Sequence, residues 1–371
     1  MFMPKRPVAM SNGAFDSRRR RLTEELIGRK LAVLLVTHPV DIAYLTGFRG
    51  SAGVGLFTPS EDILWVDPRY TLQAREQARG VQTIEAKRGL MEAAGKWLRK
   101  RPFSRAGFDE VHLTSQAYLA LRAILGRRTH LTPVGDLVAG LRMIKGDEEI
   151  AAMREAGRVT VRAFEETLPL VRPGISELDL AAELEYRARR NGAEGMAFET
   201  IVASGERAAY PHATPSRKSL EKCDLVIVDG GAIINGYAAD MTRTLYLGKP
   251  DRRVRHLYNA VLEAQRQGVE ALGTGVPAGH VDLAVRKSLK RQGLARFFTH
   301  STGHGVGMEI HEAPRVGKGV KTRISPGCVV TVEPGIYLEG FGGIRIEDTV
   351  LVGDGGPEIL TPASKTRWFV A

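Results

Sequence analysis

Five side chains, Asp229, Asp240, His304, Glu333 and Glu347, constrain this chain more than any other feature. Each sits beside glycines or at the end of a short apolar run. The stretches read L-V-I-V-D-G-G, A-A-D-M-T-R-T, S-T-G-H-G-V-G, V-V-T-V-E-P-G and G-G-I-R-I-E-D. A single strand-end Asp is most simply a turn or ion-pair residue. Four carboxylates and one imidazole gathered in one pocket are different, because so many anions cannot share a site without cations. Two divalent ions supply about four positive charges. Oxygen-rich donors with one imidazole favour Mn2+, with Co2+, Fe2+ or Zn2+ as alternatives, and exclude a Cys-rich structural zinc site.

The acids also recur in a frame. R-P-G-I-S-E-L-D-L-A-A-E around Asp179 resembles G-V-P-A-G-H-V-D-L-A-V-R around Asp282, roughly a hundred residues on. Each stretch opens a predicted helix that closes on a glycine, Gly192 or Gly293. Asp229 to Glu333 and Asp240 to Glu347 repeat at nearly the same separation. A duplicated helix–helix–strands unit around a pseudo-two-fold axis brings the acids of both halves together. Asn235-Gly236 marks a hairpin turn between Asp229 and Asp240.

The 371 residues provide for two domains with cores of their own. Upstream of the acids, helical and apolar extended stretches alternate. Helices are expected near 17–29, 69–79, 90–100 and 114–126, with strands at L-A-V-L-L-V, I-L-W-V-D, V-Q-T-I-E-A and R-A-G-F-D. That alternation predicts an α/β domain over 16–140 with a parallel or mixed sheet, preceded by a disordered lead, 1–15. The second domain, 141–371, opens with a long amphipathic helix capped by Asp147. Turn and capping roles account for His38, Asp67 and Arg69.

Net charge is +11, but the basic residues are scattered apart from Arg18-Arg19-Arg20-Arg21, read as a solvated helix face. Nucleic acid is not an expected partner. No run reaches the roughly 18 apolar residues of a membrane span, and the first residues lack a signal peptide's apolar stretch. A cytoplasmic location is expected. Cys223 and Cys328 are read as fillers of small buried gaps.

The set Asp229, Asp240, His304, Glu333 and Glu347 resembles that of the pita-bread metallopeptidases: methionine aminopeptidase, aminopeptidase P, prolidase and the metal-free relative creatinase. Y-L-T-G-F-R-G-S-A-G and W-V-D-P-R-Y resemble the creatinase/prolidase N-terminal domain. The resemblance implies an α+β protein, with a creatinase-like α/β domain followed by a pita-bread domain. It also implies that Asp240 and Glu347 bridge two metals, Asp229 chelates one, and His304 with Glu333 holds the other. His212, His300, His311 and Arg345 match the Xaa-Pro-cleaving members as catalytic residues, with Glu333 as proton shuttle. The leading expectation is an Xaa-Pro aminopeptidase acting on proline-containing peptides. Prolidase, restricted to Xaa-Pro dipeptides, is the alternative, marked by a closed pocket with a spare Arg. An inactive binding module of this fold is less favoured. Two-domain relatives pair, so a homodimer is expected, with R-G-S-A-G-V-G read as a surface loop at the contact.

Overall fold

The computed structural model describes residues 10–370, and the chain divides into two units at Arg142 and Met143. Residues 1–9 of the expected lead lie outside the described residues. From Asn12 onward the chain is helical rather than disordered: Ser11 caps α1 (Asn12–Gly28) by accepting from the Ala14 amide, and Phe15 is buried.

The N-terminal unit is built on a six-stranded mixed sheet. Its strands are β1 (Leu34–Val36), β2 (Gly53–Phe57), β3 (Asp62–Val66), β4 (Gln82–Glu85), β5 (Arg105–Phe108) and β6 (His130–Pro133), ordered β4-β3-β2-β1-β5-β6. The antiparallel pairs are β1–β2 and β2–β3; the others are parallel. Helices α2 (Pro39–Thr46), α3 (Thr71–Gln77), α4 (Leu90–Arg99) and α5 (Ser115–Leu125) lie in the connections between them, and α6 (Leu137–Arg142) follows β6.

Two expectations fail in this unit. The segment read as a surface loop is one only as far as Ala52, with Arg49 and Ser51 exposed; it enters the sheet at Gly53, and β2 is buried along its whole length. Gly55 permits this, because a Cβ there would collide with the Phe57 ring. Arg18 and Arg19 are buried rather than solvated. Their guanidinium groups donate to the carbonyls of Tyr44 (2.9 Å) and Leu45 (2.7 Å) in the last turn of α2, where carbonyls lack helical partners. Asp67 accepts from the Arg69 amide and pairs with its side chain, a local cap.

In the second unit a helix pair followed by antiparallel strands occurs twice. The first half comprises α7 (Asp147–Thr167), α8 (Glu177–Arg190), β7 (Gly195–Met196), β8 (Ile201–Ser204), β9 (Leu225–Gly230), β10 (Ala232–Ile234), β11 (Tyr237–Ala238) and β12 (Met241–Leu247). The second comprises α9 (Arg252–Glu270), α10 (Ala278–Arg291), β13 (Gly303–Gly305), β14 (Glu312–Val316), β15 (Val329–Val332), β16 (Gly335–Leu338), β17 (Gly342–Arg345), β18 (Asp348–Gly353) and β19 (Gly356–Ile359). A final β20 (Phe369–Val370) pairs with β12.

The two main sheets run β20-β12-β9-β8 and β14-β13-β15-β18-β19. Helices α7 and α8 bury Val159, Ala163, Leu180 and Leu184 against the first; α9 and α10 bury Val261, Val281, Val285 and Leu289 beside the second. The cap of α7 is Gly146, not Asp147. Glu149 reaches back to accept from the Gly146 amide at 3.0 Å, and Asp147 is the first helical residue. Cys328 is buried as expected, whereas Cys223 is exposed at a turn with φ of 72°. Among the described residues no helix is long and apolar enough to cross a membrane.

Candidate metal centre

Asp229 is the penultimate residue of β9 and Asp240 immediately precedes β12, the antiparallel neighbour of β9. Between them β10 and β11 form a hairpin whose turn residues, Asn235 and Gly236, have φ of 52° and 77°, the left-handed pair of a type I′ turn. In the other half, His304 is the middle residue of β13 and Glu333 follows β15 directly. Glu347 occupies the step between β17 and β18. Strand ends therefore deliver the four acids, and the short strand β13 delivers His304.

The five meet in one cavity of about 600 Å³, which His212, His300, His311 and Arg345 also line. His304 Nε2 stands 3.6 Å from Asp240 Oδ2 and 3.5 Å from Glu333 Oε1. Ligand atoms of Asp240, His304 and Glu347 all lie within 4.8 Å of one another. The Oδ1 atoms of Asp229 and Asp240 are buried without a hydrogen-bond partner. Buried polar atoms are almost always paired, so carboxylate oxygens left open toward a shared space fit a cation.

Burial holds the carboxyls of Asp240 and Glu347 well above the usual carboxylate range, and the neighbouring acids push further in the same direction. Glu333 is raised to about 8, mainly by burial. Burial also holds His304 at about 4, so its imidazole is neutral. Its Nδ1 lies 3.0 Å from the Gly305 carbonyl; donating there leaves the Nε2 lone pair facing Asp240 and Glu333. The donor set thus has the residue types and orientation that suit a divalent cation, whose positive charge would draw the protons off these carboxyls.

Neighbours fix these groups in place. Arg345 Nη2 donates to Asp229 Oδ2 at 2.7 Å, Nε to Thr242 Oγ1 at 3.1 Å, and Nη1 to Tyr337 Oη and the Pro211 carbonyl. With its donors so committed, Arg345 holds the Asp229 carboxylate in place. Thr242 Oγ1 donates to Glu347 Oε2 at 2.5 Å. His300 places Nδ1 2.7 Å from the Ser301 carbonyl and Nε2 2.9 Å from Tyr337 Oη. The sequence reading missed Thr242 and Tyr337. Alternation along β12 from Asp240 pointed to Thr242, but nothing local marked Tyr337.

His212 and His311 are exposed along the cavity wall. The His311 ring lies 4.3 Å from that of His304, edge to face, and burial depresses its pKa, with His212 adding to the effect. A second grouping, Asp109, His112 and Asp136, lies in the N-terminal unit. Its two acids already accept from the amides of Val111 and Ala139, which are turn and helix-start roles.

The raised carboxyl pKa values carry a stability signature in the metal-free protein. A carboxyl whose folded pKa exceeds its unfolded value keeps a proton that the unfolded chain has released. Stability is therefore full below the ordinary value, 4.5 for Glu333, and is lost as pH rises toward about 8. His300 and His304, held at about 4 by burial, shift stability mainly below pH 7 and do not obscure the trend. The Tm of the metal-free protein is expected to fall from about pH 7 to 8, and saturating divalent metal should abolish the slope. A flat metal-free Tm across that interval would contradict the buried acidic cluster.

Residues 151–354 match the metallopeptidase family M24, and residues 18–144 match the creatinase/prolidase N-terminal domain. An Xaa-Pro dipeptidase of Pyrococcus furiosus is 43% identical over 232 residues, 62% of this chain and 67% of that protein. The structure of an Xaa-Pro dipeptidase from Bacillus anthracis superposes with a TM-score of 0.91 at 36% identity, covering 97% of this chain and 100% of that one. An X-Pro aminopeptidase from Thermotoga maritima gives a TM-score of 0.87 at 34% identity, covering 95% and 100%. With an N-terminal α/β unit ahead of a duplicated pita-bread unit whose acids and histidines share one cavity, the chain belongs to metallopeptidase family M24 and is a metallopeptidase.

Proposed function

We propose that the enzyme hydrolyses the peptide bond before proline and prefers the free Xaa-Pro dipeptide. Asp229, Asp240, His304, Glu333 and Glu347 hold two divalent ions, with Mn2+ the best match to their oxygen-rich set. When bound, these ions supply positive charge that polarises the scissile carbonyl and acidifies the attacking water. Arg345 and Thr242 hold Asp229 and Glu347 in ligand geometry. Glu333 carries the proton to the leaving imide nitrogen. His212 and His311 donate to the carbonyl oxygen as negative charge develops on it. A proline nitrogen has no N–H for strand-like docking, which suits a dedicated cavity. Phe198, Ile201 and Ile310 give that cavity an apolar wall.

The observation favouring a dipeptide over a longer peptide is Arg315. It lines the cavity, its Nε donates to Ser301 Oγ at 2.9 Å, and it pairs with no carboxylate among the described residues. A free guanidinium fork at the cavity wall suits the C-terminal carboxylate that a dipeptide presents and a longer peptide carries further away. This reverses the order the motif set suggested, putting dipeptidase ahead of aminopeptidase.

The test compares an Xaa-Pro dipeptide, its C-terminal amide and an Xaa-Pro-Yaa tripeptide. The dipeptide is expected to be the best substrate. Arg315→Gln should raise its KM by roughly 10- to 100-fold, the size of a lost charge-assisted hydrogen bond, and leave the amide unaffected. Tripeptide turnover equal to that of the dipeptide would restore the aminopeptidase reading.

His212→Ala and His311→Ala should each keep full metal content and lose kcat by about 30- to 1000-fold, on the order of 2–4 kcal/mol. Histidines that merely pack would lower Tm and leave the folded fraction fully active. Normal kcat in both folded variants would leave a metal hydrolase without assigned oxyanion donors.

A further inference from the structure

Lys145 and Glu312 form an ion pair that the chemistry above does not use. Lys145 Nζ stands 2.9 Å from Glu312 Oε2, with side-chain exposures of 1% and 2%. Burying two charges is costly, and such a pair persists where its geometry is tightly fixed. Lys145 is fixed from its backbone. Its amide donates to the Gly327 carbonyl at 2.9 Å, and it immediately precedes Gly146, the cap of α7.

Glu312 opens β14, and its register partner on β13 is Gly305, next to His304. The connection between the two strands carries His311. Glu312 Oε1 accepts from the Glu309 amide at 3.1 Å, closing that connection from inside. Gly307 is required beneath it, because a Cβ there would collide with the Glu312 carboxylate. Beyond Glu312 the strand alternates: Pro314 and Val316 are buried, while Ala313 and Arg315 face outward. The ion pair thus anchors the inner face of a strand that has His311 at its start and Arg315 on its other face.

We propose that Lys145, acting through Glu312, is a positioning residue that sets where His311 and Arg315 stand in the cavity. The inference rests on the dipeptidase reading for the role of Arg315, and on the oxyanion role for His311. The pair connects the first turn of α7 to a hairpin far along the sequence, so the mouth of the site takes its shape from the start of the catalytic unit. Neither residue touches the reacting atoms in this scheme.

The experiment uses the full chain loaded with Mn2+ and the variants Lys145→Met, Glu312→Gln and the double. Metal content, Tm, kcat and the ratio of kcat/KM for an Xaa-Pro dipeptide over its amide are recorded. Each single variant should lose kcat by about 10-fold or more, the scale of a disturbed supporting residue. In each, the dipeptide-to-amide ratio should fall toward one while metal content stays full. The double variant should be no worse than the worse single, since both changes remove one interaction. Folded single variants with kcat and ratio within about twofold of the parent would overturn the proposal, as would losses that multiply in the double. A purely structural pair would lower Tm and leave the ratio unchanged. Where Lys145→Met does not fold, Glu312→Gln keeps the side-chain shape and decides alone. If the parent enzyme shows no dipeptide preference, the functional reading fails first, and kcat on the Xaa-Pro peptide it cleaves still decides the role of the pair.

Discussion

Asp240→Ala and Glu347→Ala should each empty at least one metal site and lower turnover by several orders of magnitude. Both carboxylates belong to the donor set that would hold the ions, so losing either would leave too little negative charge and too few donors for two divalent cations. The same substitutions should not destabilise the metal-free protein. Asp240 and Glu347 are held well above the usual carboxylate range by burial and by neighbouring acids, so an uncharged side chain relieves a cost. A residue kept for packing would behave in the opposite way, with lower Tm and intact activity in the folded fraction. The deciding measurement sets metal stoichiometry and metal-free Tm beside kcat on an Xaa-Pro peptide. Full turnover with almost no bound metal would sink the dimetal reading.

Arg243→Met is expected to produce the largest loss of stability. Arg243 is 1% exposed, on β12 next to Thr242. Its Nη2 donates to Asp348 Oδ1 at 2.7 Å and to the carbonyls of Thr361 (3.0 Å) and Ala363 (2.9 Å). Its Nη1 donates to the carbonyls of Thr242 and Glu347. Methionine fills much of the volume but leaves those carbonyls and part of the buried Asp348 charge unsatisfied. Breaking such a pair from one side costs about 3–5 kcal/mol. Lys365 and Gln265 still contact Asp348, which argues for the lower end, about 3 kcal/mol. Denaturant unfolding of the metal-free protein, followed by a probe in the second unit, measures this. A change below about 1 kcal/mol would show that the network is redundant. Metal affinity should fall alongside, because the Glu347 backbone is one of the groups Arg243 holds.

The residues that share the cavity were legible because their signals are local. An acid at the end of an apolar run reads as a side chain leaving a rigid strand, and Asn235-Gly236 reads as a tight turn from the two residues alone. The duplicated helix starts and repeated acids gave the helix–helix–strands unit twice, as the element order has it. Alternating apolar runs and helical stretches gave a mixed sheet upstream. Where the reading failed, a local pattern stood for something non-local. Four consecutive arginines look solvated, yet two of them bond the end of a neighbouring helix. A glycine-rich stretch looks like a loop, yet its small residues make room for Phe57 in a buried strand.

The partners of buried charges lay beyond the reach of sequence altogether. Arg345 could be placed on the face of Glu347 by alternation, but its engagement with Asp229, Thr242 and Pro211 depends on segments more than a hundred residues away, and its bond to Tyr337 crosses to the neighbouring strand. Lys145 and Glu312, or Arg243 and Asp348, carry no mark that pairs them. The sequence alone determined which side chains could form a metal centre, since ligand chemistry belongs to residue type and strand position. Only the tertiary structure decided which charges were buried together, because the cost of desolvating a charge is set by whatever the rest of the chain folds around it.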